Sequence, residues 1–224
     1  MAYDLYIITD EILAGGLSHA EIARRATAGG ADAIQLRDKT CGCRELTRIG
    51  REIAEITRQT GALFIVNDRL DVAIASGADG VHLGQGDISP ATARQLAPPG
   101  FIIGISVGST KEARKAEAEG VDYVALSPTF ATGSKADAGP GHGLFLLSEI
   151  RRSVAIPVIA IGGIGLQNVR EVIHAGADGI AVISAVVSAP DITGAARELR
   201  SRIRLAKLER GRAYPARFRS RKTQ

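Results

Sequence analysis

Eight short apolar runs, at residues 5–9, 33–36, 63–66, 80–83, 102–105, 123–126, 158–161 and 180–183, recur at intervals of roughly 20–30 residues. Each is followed by a segment whose apolar positions repeat with helical period, at residues 20–28, 44–60, 69–76, 90–96, 111–119, 144–153, 166–174 and 191–207. Ser18 and Ser89 stand where a side-chain oxygen can cap a helix N-terminus, and Pro90 suits a first helical position. Three helices end in matching phrases, Ala28-Gly29-Gly30-Ala31-Asp32, Ser76-Gly77-Ala78-Asp79-Gly80 and Ala175-Gly176-Ala177-Asp178-Gly179, with Glu119-Gly120-Val121-Asp122 a looser fourth. Glycine there accepts the left-handed conformation that ends a helix and turns the chain into the next strand. Strand–helix alternation repeated eight times predicts an α/β protein, a single (β/α)₈ barrel with a parallel sheet packed within and covered by helices outside. An open doubly wound sheet is the alternative, but it usually carries a glycine fingerprint after the first strand, where this chain reads Thr9-Asp10-Glu11.

Composition narrows the class. The 224 residues suffice for one barrel, and 45% hydrophobic with 23% charged residues is ordinary for a globular protein. Twenty-six glycines, nine Phe and Tyr residues and no Trp imply tight turns around an aliphatic core. No apolar stretch approaches the ~20 residues that span a bilayer, and Met1-Ala2-Tyr3-Asp4 offers no basic start to a secretory signal. Cys41 and Cys43 form a C-x-C, unlike the C-x-x-C of redox or zinc sites, and are expected to be bystander thiols in a reducing cytoplasm. The net charge of +4 hides an asymmetry: residues 202–224 carry nine Lys and Arg against the single acid Glu209, leaving the body acidic. The chain is therefore divided into a catalytic barrel over residues 1–203 and a basic, solvated tail over 204–224. Nucleic-acid binding is the less favoured reading of that tail, since beyond Tyr214 and Phe218 no aromatic residues interleave its charge. A homo-oligomer is left open.

In a barrel the chemistry sits at the C-terminal ends of the strands. Val66-Asn67-Asp68-Arg69 and His82-Leu83-Gly84-Gln85-Gly86-Asp87 each place a carboxylate just past an apolar run. Neighbouring parallel strands would bring Asp68 and Asp87 out at the same end, where two carboxylates plus substrate phosphate suit a hard cation such as Mg²⁺. In Ile34-Gln35-Leu36-Arg37-Asp38-Lys39, residues Gln35, Arg37 and Lys39 would share one strand face, setting base for phosphate beside acid for metal. Further strand ends supply Ser106, Ser127, Thr132, Ser134 and Lys135. Gly162-Gly163 and Ile183-Ser184, after the seventh and eighth runs, suit a phosphate monoester bound through backbone N–H groups. Rim solvation accounts for some of these groups, but less easily for three cations and two acids converging from different strands. His82 is read as pocket lining, His142 as part of a flexible loop, and His19 and His174 as helical surface residues. Nucleotide-binding, zincin and hydrolase-elbow motifs are missing from the chain.

From the first strand to the eighth helix, these motifs resemble the thiamine phosphate synthase family. The resemblance rests on the segments just quoted, with Gly104-Ile105-Ser106, Ser127-Pro128-Thr129-Phe130-Ala131-Thr132-Gly133-Ser134-Lys135, Ala160-Ile161-Gly162-Gly163-Ile164 and Val182-Ile183-Ser184-Ala185. It implies a transferase that joins a hydroxymethylpyrimidine diphosphate to a thiazole phosphate, plain or carboxylated, giving thiamine phosphate and pyrophosphate with Mg²⁺ as cofactor. By resemblance, Gln35, Leu36, Arg37, Asp38, Lys39, Asn67, Ser106 and Lys135 bind the pyrimidine diphosphate, and Arg37, Lys39, Ser106 and Lys135 act in catalysis. Asp68 and Asp87 hold the metal, and Thr132, Gly133, Ser134, Gly163, Ile183 and Ser184 hold the thiazole phosphate. The chain departs from the family pattern in the thiazole half, with Ser127, Ala131 and Ser134 where Gly, Pro and Thr are frequent, and with Gly108 where many members have His. A thiazole tautomerase of the same barrel and a non-enzymatic ligand- or nucleic-acid-binding module are the rival readings. The retained Gln35, Lys39, Asp68, Gln85 and Asp87 favour the synthase.

Overall fold

The eight apolar runs pair in chain order into a closed parallel barrel in the computed structural model, which describes residues 3–134 and 139–213. The strands are β1 (Leu5–Ile8), β2 (Ala33–Leu36), β3 (Leu63–Asn67), β4 (Gly80–Leu83), β5 (Ile102–Val107), β6 (Tyr123–Leu126), β7 (Val158–Ile161) and β8 (Gly179–Val182), with β8 closing on β1. Outside them lie α1 (His19–Ala28), α2 (Cys43–Thr60), α3 (Leu70–Ser76), α4 (Pro90–Leu96), α5 (Thr110–Ala118), α6 (Gly143–Ser153), α7 (Val169–His174), α8 (Ser184–Val187) and α9 (Ile192–Ala213). The strands are short and buried on both faces, which is why they read as continuous apolar runs. Ser18 and Ser89 cap α1 and α4 as expected, accepting from the N–H groups of Glu21 and Thr92, and Ser109 caps α5 in the same way.

The repeated Gly–Asp phrases explain the floor of the barrel. Asp32, Asp79, Asp122 and Asp178 each stand just before an even-numbered strand and reach back to an N–H of the preceding odd one. Asp32 accepts from Leu5 N at 3.0 Å, Asp79 from Phe64 N at 2.7 Å, Asp122 from Ile103 N at 2.8 Å and Asp178 from Val158 N at 2.9 Å. Three of the four also meet a helix arginine: Arg200 at Asp32, Arg94 at Asp122 and Arg151 at Asp178. Edge donors that the sheet leaves without a strand partner are thus satisfied by carboxylates, in a pattern that recurs with every second strand.

Two element boundaries differ from expectation for physical reasons. The helix expected from residue 166 begins at Val169, because Asn168 folds back, donating to Gly163 O at 2.8 Å and accepting from Gly165 N at 2.9 Å. The short helix α8, not expected from the pattern, fills the link between β8 and α9. The expected boundary between residues 203 and 204 falls inside α9, which continues to Ala213. There Lys207 Nζ meets Asp4 Oδ1 and Asp178 O, both at 2.5 Å, and Arg210 Nη1 meets the carbonyls of Ile173 and Ala177, both at 2.8 Å. Residues 214–224, the rest of the expected tail, lie outside the described residues.

Candidate active site

A cavity of about 890 Å³ opens at the C-terminal ends of the strands. Its wall includes Arg37, Lys39, Asn67, Asp68, His82 and Ser106 on one side and Thr132, Gly133, Ser134, Gly163, Ile183 and Ser184 on the other. Four members of the expected diphosphate set, Arg37, Lys39, Asn67 and Ser106, therefore share one space with the expected thiazole phosphate set. Gln35, Leu36, Asp38 and Asp87 do not line it, and Lys135 lies outside the described residues.

The β2 end differs from the expected single strand face. The strand stops at Leu36, so Arg37 and Lys39 are presented by a turn. Asp38 builds that turn: its Oδ1 accepts from Thr40 N at 2.7 Å, Thr40 Oγ1 at 2.7 Å and Cys41 N at 2.9 Å. Burial alone would raise this carboxyl, but the Thr40 hydroxyl and the two N–H groups hold it well below the usual carboxylate range. Asp38 thus shapes the loop. His19, expected on the surface, is only 1% exposed. Its Nδ1 lies 2.7 Å from Thr9 Oγ1 and its Nε2 3.4 Å from Asp38 Oδ2, joining the ends of β1 and β2. Gln35 is turned into the barrel, 2% exposed, with Nε2 donating to Tyr6 Oη at 2.8 Å.

At β3 and β4, Asp68 leaves the strand with φ +63° while its N–H donates to His82 O at 2.8 Å. Asp87 closes the next loop, its Oδ2 accepting from Gly84 N at 2.7 Å. The Asp87 carboxylate lies near enough to act on that of Asp68. Burial and the neighbouring Asp87 charge both push the Asp68 carboxyl up, against the pull of Lys39 and Arg37. Two converging carboxylates beside cations suit a hard divalent ion. Among the described residues no cluster of three or more His, Cys, Asp or Glu side chains is arranged to hold a metal, so such an ion would draw further ligands from substrate or water.

On the opposite wall, Ser134 Oγ donates to Ser184 Oγ at 3.1 Å, tying the β6 loop to α8. Gly162 and Gly163 hold φ of +99° and +63°. A Cβ on Gly163 would sit 2.6 Å from Ala131 O and 2.8 Å from Phe130 Cβ, so glycine is needed for this turn to pack under the β6 loop. The Ser127–Pro128 peptide is cis. His142 donates its N–H to Pro128 O at 3.0 Å, and its ring lies beside Gly108, where an added Cβ would meet it at 3.2 Å. The space beside Gly108 is therefore already taken by an imidazole. Sequence reasoning missed Leu13, which lines the mouth from the β1–α1 loop, and Asn168, which pins the Gly163 turn. Asn168 follows Gly163-Ile164-Gly165 at a turn-forming spacing, the one signal that could have marked it.

Acidic and basic groups facing a glycine- and hydroxyl-lined wall, at the mouth of a (β/α)₈ barrel, define a barrel enzyme acting on phosphorylated compounds. Residues 5–186 match the family model described as thiamine monophosphate synthase. The chain is 68% identical over 207 residues to the thiamine-phosphate synthase of Methanoregula boonei, covering 92% of this chain and 96% of that one. It is 63% identical over 209 residues to that of Methanoculleus marisnigri, covering 93% and 99%. The solved thiamine phosphate pyrophosphorylase of Pyrococcus furiosus superposes with a TM-score of 0.85 at 46% identity, over 91% of this chain and 96% of that one. The chain belongs to the thiamine monophosphate synthase family. These relatives lend no support to a tautomerase or a non-enzymatic binding module. Among the described residues no helix is long and apolar enough to cross a membrane.

Proposed function

We propose that the chain couples 4-amino-2-methyl-5-hydroxymethylpyrimidine diphosphate to 4-methyl-5-hydroxyethylthiazole phosphate, or its carboxylated form, releasing pyrophosphate and forming thiamine phosphate. The observation that carries this reading is the convergence of Asp68, Arg37 and Lys39 on the same cavity as Ser134, Gly163 and Ser184. In the reaction the bond between the pyrimidine methylene carbon and the diphosphate oxygen breaks, its electron pair leaving with pyrophosphate. The thiazole nitrogen then supplies the pair that forms the new C–N bond. Arg37 and Lys39, with Lys135, complement the negative charge that grows on the departing group, and Ser106 and Asn67 orient the pyrimidine. Asp68 and Asp87 would hold Mg²⁺, which when bound supplies further positive charge to the pyrophosphate. Thr132, Gly133, Ser134, Gly163, Ile183 and Ser184 hold the thiazole phosphate so that its ring nitrogen faces the methylene carbon. No strong base is required; exclusion of water from the electron-poor carbon matters more. The charged substrates and the two unpaired thiols suit a cytoplasmic setting.

The test is a coupling assay with both substrates and Mg²⁺, following pyrophosphate. Release that depends on both substrates and on the metal is expected. Pyrophosphate set free without the thiazole phosphate would identify a hydrolase instead.

A further inference from the structure

Five side chains from five strands form one continuous hydrogen-bonded chain inside the barrel. Gln35 Nε2 donates to Tyr6 Oη at 2.8 Å, and Tyr6 Oη lies 3.2 Å from Tyr123 Oη. Tyr123 Oη lies 2.9 Å from His82 Nδ1, and His82 Nε2 lies 3.0 Å from Ser106 Oγ, which faces the cavity. The barrel makes room for this chain. Gly104 stands in register between His82 and Tyr123, and a Cβ there would overlap the Tyr123 ring. That ring stacks on the His82 imidazole, centroids 5.6 Å apart and planes at 22°.

Hydrogen counting gives the chain a direction. Burial pushes both phenols well above their ordinary pKa, so each carries one hydrogen at neutral pH. Tyr6 accepts from the Gln35 amide and passes its own hydrogen to Tyr123. Tyr123 passes its hydrogen to His82 Nδ1. The ring hydrogen is then on Nε2 and is donated to Ser106 Oγ. With the Gln35 amide nitrogen facing Tyr6, the opposite sense would have Tyr6 receive from both Gln35 and Tyr123, and its own hydrogen would be buried without an acceptor among the described residues. An unsatisfied buried donor is the costlier state.

Building on the coupling reaction proposed above, we infer that Tyr6, Tyr123 and His82 are positioning residues that hold the Ser106 hydroxyl as a hydrogen-bond donor into the cavity, toward an acceptor atom of the pyrimidine diphosphate. Neither tyrosine touches the cavity; both act through His82. The direct test is a long-range ¹⁵N–¹H spectrum of the imidazoles in the full chain without substrates, with His82 identified by its loss in His82→Gln. Nε2 protonated and Nδ1 bare is the expected pattern. A hydrogen on Nδ1, or on both nitrogens at neutral pH, overturns the inference. This needs only the wild-type fold, so it decides even where a tyrosine variant does not fold. The second measurement compares Tyr123→Phe, Ser106→Ala and their combination by steady-state kinetics. Tyr123→Phe should lower kcat/KM for the pyrimidine diphosphate by about tenfold and leave the KM for the thiazole phosphate unchanged. It should cost nothing further once Ser106→Ala is present, whereas Ser106→Thr should recover activity lost in Ser106→Ala. Losses that multiply in the double variant, or that fall equally on both substrates, mark Tyr123 as merely structural. A wild-type chain with the expected tautomer but no turnover would defeat the coupling reading and not the hydrogen-bond direction.

Discussion

Asp68 concentrates conformational cost and chemistry in one residue. Its backbone at φ +63° is a conformation non-glycine side chains adopt at a cost of roughly 1–3 kcal/mol. The carboxylate that makes the cost worthwhile lines the cavity and feels the charge of Asp87. Asp68→Gly should therefore melt at or above the parent temperature while losing about 100-fold or more in turnover. Near-parental turnover at limiting Mg²⁺ would remove Asp68 from the metal site. Gly163→Ala reports on the other wall. Its methyl would press on Ala131 O and Phe130 and force a left-handed alanine, so a stability loss of about 1–3 kcal/mol is expected. The KM for the thiazole phosphate should rise about tenfold with the diphosphate KM unchanged, a free-energy change of about 1.4 kcal/mol. Steady-state kinetics varying each substrate separates the two, and a rise confined to the diphosphate would invert the placement of the ligands. Residues at strand ends with a charge or a glycine, such as Asp68 and Gly163, were legible because barrel topology says where to look. Tyr6, His82 and Tyr123 were not legible as a set: His82 reads as pocket lining and the two tyrosines as ordinary core filling, and only closure of the barrel brings strands one, four and six together.

Among the elements, the β2 loop shows why periodicity misplaced a site. Alternation at Gln35, Arg37 and Lys39 implied one extended face, yet Asp38 collects three donors and ends the strand at Leu36. Asp38→Ala should release this turn and raise the KM for the pyrimidine diphosphate several-fold while sparing that for the thiazole phosphate, as two-substrate kinetics would show. Because the folded-state pKa of Asp38 is depressed, its contribution is fully present above the ordinary carboxylate value of about 4 and is lost only as pH falls through the lower folded value. The turn should accordingly hold unchanged between about pH 5 and pH 8. Spectroscopic opening of the loop within that window would exclude the carboxylate as its organiser. Helix positions were legible to within a residue or two wherever a serine cap or a glycine stop marked them, as at Ser89 and Gly77. They failed around residues 163–168, where an asparagine side chain competes with the helix for backbone partners.

At the scale of the whole molecule, the eightfold alternation was enough to read the barrel, whereas its C-terminal limit was not legible. Basic composition made residues 204–213 look like solvated tail, but Lys207 and Arg210 satisfy carbonyls at the barrel floor. A chain ending at residue 203 should therefore melt clearly below one ending at 213, and equal melting temperatures would show that these contacts contribute nothing. The four aspartates of the floor lead further. The carboxylate-to-strand bond of each stays within one pair, strands one and two, three and four, five and six, or seven and eight, whereas the arginines Arg94 and Arg151 reach from the helix of one pair to the aspartate of the next. In respect of these carboxylate bonds the barrel is four quarters, and a cut of the chain at a seam leaves each bond inside its own quarter. Since Lys207 reaches Asp4, the two ends of the barrel already lie side by side. A circular permutant opened between Pro98 and Pro99, with its old ends joined by a short linker, keeps every aspartate with its own strand and should fold. One opened between Gly30 and Ala31 splits a pair and should fold poorly.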